Sequence, residues 1–287
     1  MPGRWIAASV GGVEVARYVY EPYPEPFEAP KPYFHPLRTT AGDVVTAFRP
    51  HDHRWHKGLQ LTATEVSGHN LWGGNTYVRG SGYQAVDNVG SMRPGAVRVH
   101  SGEEVVVDED LTWLSARGGV LATESRGLVL HSATAASWAL DVSTTVTAAE
   151  DLEFGSPHTL GMAGSGYTGL WWRGPRSFTD GELLTPAGPV AEDDLRGRRA
   201  DWVAYLGRHD EVDRSSTMVF TCLDDGDAAP HWFVRTSAFA GVNPSWAFHD
   251  TFGLRAGESF TRRYRIVIGD GIWDADRVAA ALKEAER

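Results

Sequence analysis

Apolar and polar residues alternate with a period of two along most of this chain, the spacing of strands with one buried face. Val13 to Tyr20 reads as a first strand. Glu21 to Pro36 holds six prolines and reads as an extended connection, because proline removes ladder donors. Ala96–His100 and Glu103–Trp113 are predicted to pair around Ser101 and Gly102. Val120–Glu124, Arg126–Ser132 and the long alternating run Ser137–Thr147 follow. Phe154 to Trp172 is rich in glycine and aromatic residues, and Asp193 to Asp201 reads as a charged loop. Strands resume at Trp202–Leu206, Ser216–Leu223, Trp232–Ser237 and Gly253–Leu254, and end with Ser259–Ile268. Only the tail, Asp274 to Arg287, shows helical spacing, with Asp274 placed to N-cap it and Val278 and Leu282 on its apolar stripe. The expectation is an all-β fold: a large antiparallel β-sandwich over residues 1–287 in a single domain, closed by a C-terminal helix at 274–287.

Composition agrees with that picture. The chain has 287 residues, with 11 Trp, 9 Tyr, 11 Phe and 32 Gly against 4 Met, which suits pleated surfaces and tight turns. The formal charge of −10 argues against nucleic acid and anionic membranes as partners, since phosphate backbones are bound by basic faces. The single cysteine, Cys222, cannot form an internal disulfide and reads as a small buried hydrophobe. The N-terminal apolar run is too short for a signal peptide, and no run of about 20 apolar residues exists to span a bilayer. A cytoplasmic location is the expectation.

Candidate chemistry concentrates in Pro50 to Gly58, where His51, Asp52, His53, Arg54, His56 and Lys57 fall together, with His35 upstream. Imidazole titrates near neutrality and is the commonest metal ligand, so the cluster suits acid/base work, polyol binding or a divalent metal held by His51, His53 and His56. In a regular strand His51 and His53 share a face, and His56 joins them only if the chain turns. Three further stretches suit sugars and anions. Gly68 to Asn75 offers Trp72 and Asn75, an aromatic face and an amide that bonds hydroxyls in both directions. His158 follows Gly155-Ser156-Pro157, and Arg173 follows Trp171 and Trp172, placed to clamp an anionic oxygen. His231, Phe233 and Arg235 share one strand face, with Asn243 a little further on.

These residues carry a resemblance. Lys31 to Pro36, Arg49 to Gly58, Leu71 to Gly74, Gly155 to Pro157, Trp171 to Arg173 and Pro230 to Arg235 occur in the order seen in the bacterial family labelled PmoA, of unsettled function, and resemble its actinobacterial members. The D-H-x-x-H-x-G core at Asp52 to Gly58 is the most specific part. This chain has Trp55 where the family often has a third histidine, and Lys57 where it often has arginine, which leaves His53 and His56 as the surer pair. The ending, Phe252 to Gly271, is similar to the last strands of galactose-mutarotase-like supersandwiches. That likeness implies a sheet that binds carbohydrate.

The function expected is a carbohydrate-active enzyme using histidine acid/base chemistry on a sugar or keto-sugar glycoside, as lyase, epimerase or hydrolase. His53, His56, His158, His231 and Arg173 are its candidate catalytic residues. His35, His51, Lys57, Trp72, Asn75, Trp172, Arg235 and Asn243 are its candidate substrate contacts. A non-catalytic carbohydrate-binding protein is the alternative. A metal-dependent oxygenase, as the family label suggests, is the third reading, and the lack of a membrane span tells against it.

Overall fold

The computed structural model describes residues 3–23, 25–224 and 230–286. Two antiparallel sheets dominate it. A seven-stranded sheet runs in the spatial order Arg4–Val10, Val13–Glu21, Tyr33–Leu37, Leu59–Thr62, Gly169–Arg173, Gly241–Ser245, His231–Arg235. A nine-stranded sheet faces it, with Ser259–Asp270 near its centre, paired to Ser137–Ala148 on one side and Ser215–Cys222 on the other. The expected antiparallel β-sandwich is therefore present.

Alternation builds the core between the sheets. Trp138, Leu140, Val142 and Val146 point inward from one strand, and Tyr264, Ile266 and Ile268 from its neighbour. Leu59, Leu61, Leu170, Trp172, Trp232 and Val234 meet them from the seven-stranded sheet. Burying an apolar side chain of this size contributes about 1.5–3 kcal/mol. The opposite parity faces outward: Ala139, Val219 and Val267 form a second apolar layer with Trp273, Val278 and Ala281. The helix Ala275–Glu284 covers that layer. Asp274 caps it as expected, accepting a hydrogen bond from the Arg277 backbone N–H at 2.8 Å. The last residue of the expected helix, Arg287, lies outside the described residues. No helix among the described residues is long and apolar enough to cross a membrane.

Several expectations need correction. Val120–Glu124 and Arg126–Ser132 are one unbroken strand, Val120–Thr134, because Ser125 continues the ladder with Thr145. The proline-rich connection is not wholly outside the sheet: Tyr33–Leu37 pairs with both neighbours, its prolines interrupting only part of the ladder. The charged loop contains a one-turn helix, Glu192–Leu195.

One polar network is sealed inside the sandwich. Glu124 accepts hydrogen bonds from Arg126 Nε (2.8 Å), Arg126 Nη2 (3.1 Å), Trp113 Nε1 (2.8 Å) and Thr144 Oγ1 (2.8 Å). Arg126 also donates to Tyr18 Oη at 3.1 Å, and Tyr18 donates to Glu109. Burial raises the Glu109 pKa to about 7, against the lowering effects of Arg126 and Tyr18. A carboxyl whose folded pKa exceeds its unfolded value of 4.5 contributes stability that is full below pH 4.5 and lost as pH rises through about 7. Raising the pH from 4.5 to 7.5 should therefore cost the native protein up to about 3 kcal/mol relative to Glu109→Gln. The comparison with the variant cancels the buried imidazoles, which titrate in the same window with the opposite sign. Urea denaturation of both proteins at each pH measures it, and a pH-independent difference refutes it.

Candidate functional site

The outer face of the seven-stranded sheet, turned away from the nine-stranded one, carries an aromatic cavity of about 370 Å³. Its floor follows from parity. Trp171 and Phe233 project to this face while their neighbours Trp172, Trp232 and Val234 enter the core. Trp72 packs on Trp171 (ring centroids 5.5 Å) and Tyr167 (4.9 Å), and Trp55 and Phe239 complete the wall.

The histidine-rich stretch forms the cavity's polar side. It is a closed loop and not a strand. Phe48 pairs with Lys57, Arg49 N–H donates to His56 O (2.9 Å), and Gly58 N–H donates to Ala47 O (2.8 Å). Gly58 has φ +67, and a Cβ there would lie 2.1 Å from Phe34 O, so only glycine closes the loop this tightly. Two successive turns inside it aim His53 and His56 at the cavity, with ring centroids 4.9 Å apart. Opposite, buried Asn70 shapes the second aromatic loop. Its Oδ1 accepts from the N–H groups of Trp72 and Gly73, both at 2.9 Å, and its Nδ2 donates to Gly74 O and Thr76 Oγ1.

The two imidazoles differ. His56 is buried, and Arg173 Nη1 donates to its Nδ1 at 3.2 Å. Burial, then Arg173, His53 and Lys31, push its pKa well below 6.5, so the ring is neutral and its remaining proton sits on Nε2. Arg173 lies under it, buried, with its guanidinium 3.8 Å from the Phe239 ring centroid. Burial pulls the Arg173 pKa down to about 10. His53 is half-buried, and Asp52 Oδ2 stands 3.3 Å from its Nδ1, a charge contact outside hydrogen-bond geometry. Burial lowers the His53 pKa and Asp52 partly restores it.

Of the residues nominated from the sequence, His53, His56, Trp72, Asn75 and Arg235 line the cavity, and Arg173 supports it through His56. The others lie elsewhere. His51 does not share a face with His53, because the chain turns between them. It is exposed, and its Nδ1 meets Arg176 Nη2 at 3.1 Å. The trio His51, His53 and His56 therefore does not converge, and among the described residues no group of three or more His, Cys, Asp or Glu side chains is placed to hold a metal ion. Trp172 is on the core parity, its indole N–H bonded to Val45 O (2.9 Å). Asn243 is buried and spends its amide on Thr168 and Leu170 backbone groups. His35 bonds Thr46 and stacks on Phe48, and Lys57 pairs with Glu28, both away from this cavity. His158 and His231 sit behind Phe248 in a cluster with His249, at ring-centroid distances of 5.2 and 4.6 Å from it. Burial lowers both of their pKa values, with His249 adding to the effect.

Glu65 is a cavity residue that the sequence did not single out. It lies in a two-residue strand, Glu65–Val66, with no flanking motif. Burial raises its carboxyl pKa, although the Gly68 N–H donates to it at 2.5 Å. Trp171, on the floor, keeps its buried indole N–H without a hydrogen-bond partner among the described residues.

Residues 6–283 match one family throughout, and the chain belongs to it: a family of unknown function (DUF6807). That description carries no PmoA label. No curated protein matches the chain. Among solved structures, it is similar to a GH36 α-galactosidase AgaA variant from Geobacillus stearothermophilus in complex with stachyose (14% identity, TM-score 0.47, covering 93% of this chain and 40% of that one). A galactose mutarotase related enzyme from Lactobacillus acidophilus matches at 8% identity and TM-score 0.40, over 92% of this chain and 97% of its own. A heparinase III matches at 11% identity and TM-score 0.36, over 91% and 33%. The chain thus spans about two fifths of the length of the α-galactosidase. At these scores the functional reading rests on the cavity itself.

Proposed function

We propose that the aromatic cavity binds a small carbohydrate, a sugar or keto-sugar glycoside, and that histidine acid/base chemistry removes the proton beside the carbonyl of the keto-sugar glycoside. The observation that carries this reading is the pairing of two unlike imidazoles on one wall of an aromatic pocket. Half-buried Trp55, backed by the buried Trp72 and Trp171, offers a face on which the C–H surface of a sugar ring stacks, and a volume of about 370 Å³ suits one or two rings. His53, with Asp52 beside it, is the base. His56, neutral and locked by Arg173 with its proton on Nε2, donates to the carbonyl oxygen as negative charge develops there. Glu65, held more protonated than an ordinary glutamate, is the acid for a departing oxygen. Asn75 and Arg235 supply polar contacts at the rim. This step is common to keto-sugar lyases and epimerases.

The test is to incubate the protein with keto-glycosides and their parent glycosides in D2O and follow them by NMR. Deuterium should enter beside the carbonyl of the keto-glycoside, and Trp55→Ala should weaken binding about tenfold, read by tryptophan fluorescence. Binding without exchange would make the chain a carbohydrate-binding protein. Neither binding nor exchange across the panel would remove the carbohydrate reading.

A further inference from the structure

A second cavity, of about 310 Å³, opens on the other side of the Pro26–Glu28 turn, separated from the first by the edge contact of Phe27 with Trp55. The histidine loop reaches both: His56 faces one cavity and the adjacent Lys57 faces the other. A group of charged side chains forms the wall of the second cavity. Glu28 is buried, and its carboxylate accepts from Arg49 Nε (2.9 Å) and Nη2 (2.6 Å), with Lys57 Nζ 3.1 Å away. Lys31, fully buried, donates to the carbonyl oxygens of Glu28 (3.1 Å), Ala29 (2.9 Å) and Trp72 (2.7 Å). Burial, with Lys57 adding to it, pulls the Lys31 pKa well down, so this amine backs the site as a donor to main-chain oxygens. Exposed Arg49 and buried Lys57 thus flank one buried carboxylate at the cavity wall. Glu25 adds a negative charge only at the exposed rim. Arg49, on the solvent side of this group, stays open to an anion that enters the cavity.

The rest of the lining is aromatic and open. Tyr23 is 65% exposed and Phe48 41% exposed. The His35 ring stacks on Phe48 at 5.1 Å and 15°, and Tyr33 sits 5.6 Å from the same ring, so Phe48 is held as a fixed platform. Arg49 adopts φ +48, the left-handed region that a side chain rarely takes. That conformation lays its guanidinium on Glu28 at the cavity wall and leaves Nη1 unused by that carboxylate.

We infer that this cavity is a second ligand site, for an acidic sugar: a ring stacked on Phe48 and Tyr23, with a carboxylate or phosphate turned to Arg49 and Lys57. The inference does not rest on the reading of the first cavity. Isothermal titration at low ionic strength with D-glucuronate, glucose 6-phosphate and glucose tests it. At least one acidic sugar should bind about tenfold or more tightly than glucose. Response to glucuronate alone identifies the carboxylate, and response to glucose 6-phosphate alone the phosphate. Arg49→Gln should lose that binding by about tenfold and Phe48→Ala by severalfold, while Tyr83→Ala, at a 40% exposed residue of the other cavity, leaves it in place. Phe48 is exposed, so its substitution keeps the test decisive if Arg49→Gln folds poorly. Equal binding of glucose, inorganic phosphate binding as tightly as glucose 6-phosphate, no acidic sugar bound at millimolar concentration, or loss of binding in Tyr83→Ala would each overturn it.

Discussion

His53→Ala is expected to lower turnover of a keto-glycoside by about 10²–10⁴-fold, the usual contribution of a positioned proton-transfer group, while leaving ground-state affinity within severalfold. His53 is half-buried and its Nδ1 makes no hydrogen bond, so its removal leaves the loop's backbone closures intact. The pH dependence follows with a definite sign. Burial, with a smaller push from Arg173, holds the His53 pKa below 6.5, and Asp52 opposes both. The free base therefore persists below pH 6.5, and the acid limb of kcat/KM should fall in that range. Asp52→Asn removes the opposing charge and should move the limb to lower pH still. A limb above pH 6.5, a shift upward in Asp52→Asn, or undiminished turnover in His53→Ala would exclude His53 as the base.

Arg126→Met should destabilise the fold by about 3–5 kcal/mol, a large part of the 5–15 kcal/mol typical of a native protein. The substitution keeps the chain's bulk and removes the charge. It leaves the Glu124 carboxylate, side chain 0% exposed, with two neutral donors, Trp113 and Thr144, in place of a guanidinium. Tyr18 also loses the donor to its hydroxyl. The cost belongs to the stranded charge more than to the lost contact, so Arg126→Met with Glu124→Gln should recover part of the stability. Urea denaturation measures both. A loss below about 1 kcal/mol, or no recovery in the double variant, would show that the pair is not held as an ion pair.

The sequence showed those strands that keep one polar face. Ser137–Ala148 and Ser259–Asp270 alternate because one side meets the core and the other meets solvent or the small helix layer. Leu59–Thr62 and Gly169–Arg173 escaped notice for the opposite reason. Every residue in them is buried, one face under the nine-stranded sheet and the other under the aromatic cavity, so no alternation remains to read. The same ambiguity made Trp172 the candidate in place of Trp171: two adjacent tryptophans must take opposite faces, and nothing local says which face holds the site. The histidine cluster was visible as a density of ionisable groups. Its division into His53 and His56 on one cavity, Lys57 on another and His51 in solvent depends on turns that the strand template did not contain. Glu65 and Lys31 had no local signal, because each gains its character from burial by distant segments.

Arg173 holds the histidine loop at both ends through its own backbone. Its N–H donates to Gly58 O at 2.8 Å, and its carbonyl accepts from the Ala47 N–H at 2.9 Å. A segment closed on a strand residue at entry and exit has surrendered most of its conformational entropy during folding. A ligand meeting His53 and His56 then has little left to order, so more of its contact energy survives as affinity. The rigidity is set by main-chain groups of the sheet, which places the precision of the imidazole pair under the control of strand pairing and not of the loop's own side chains.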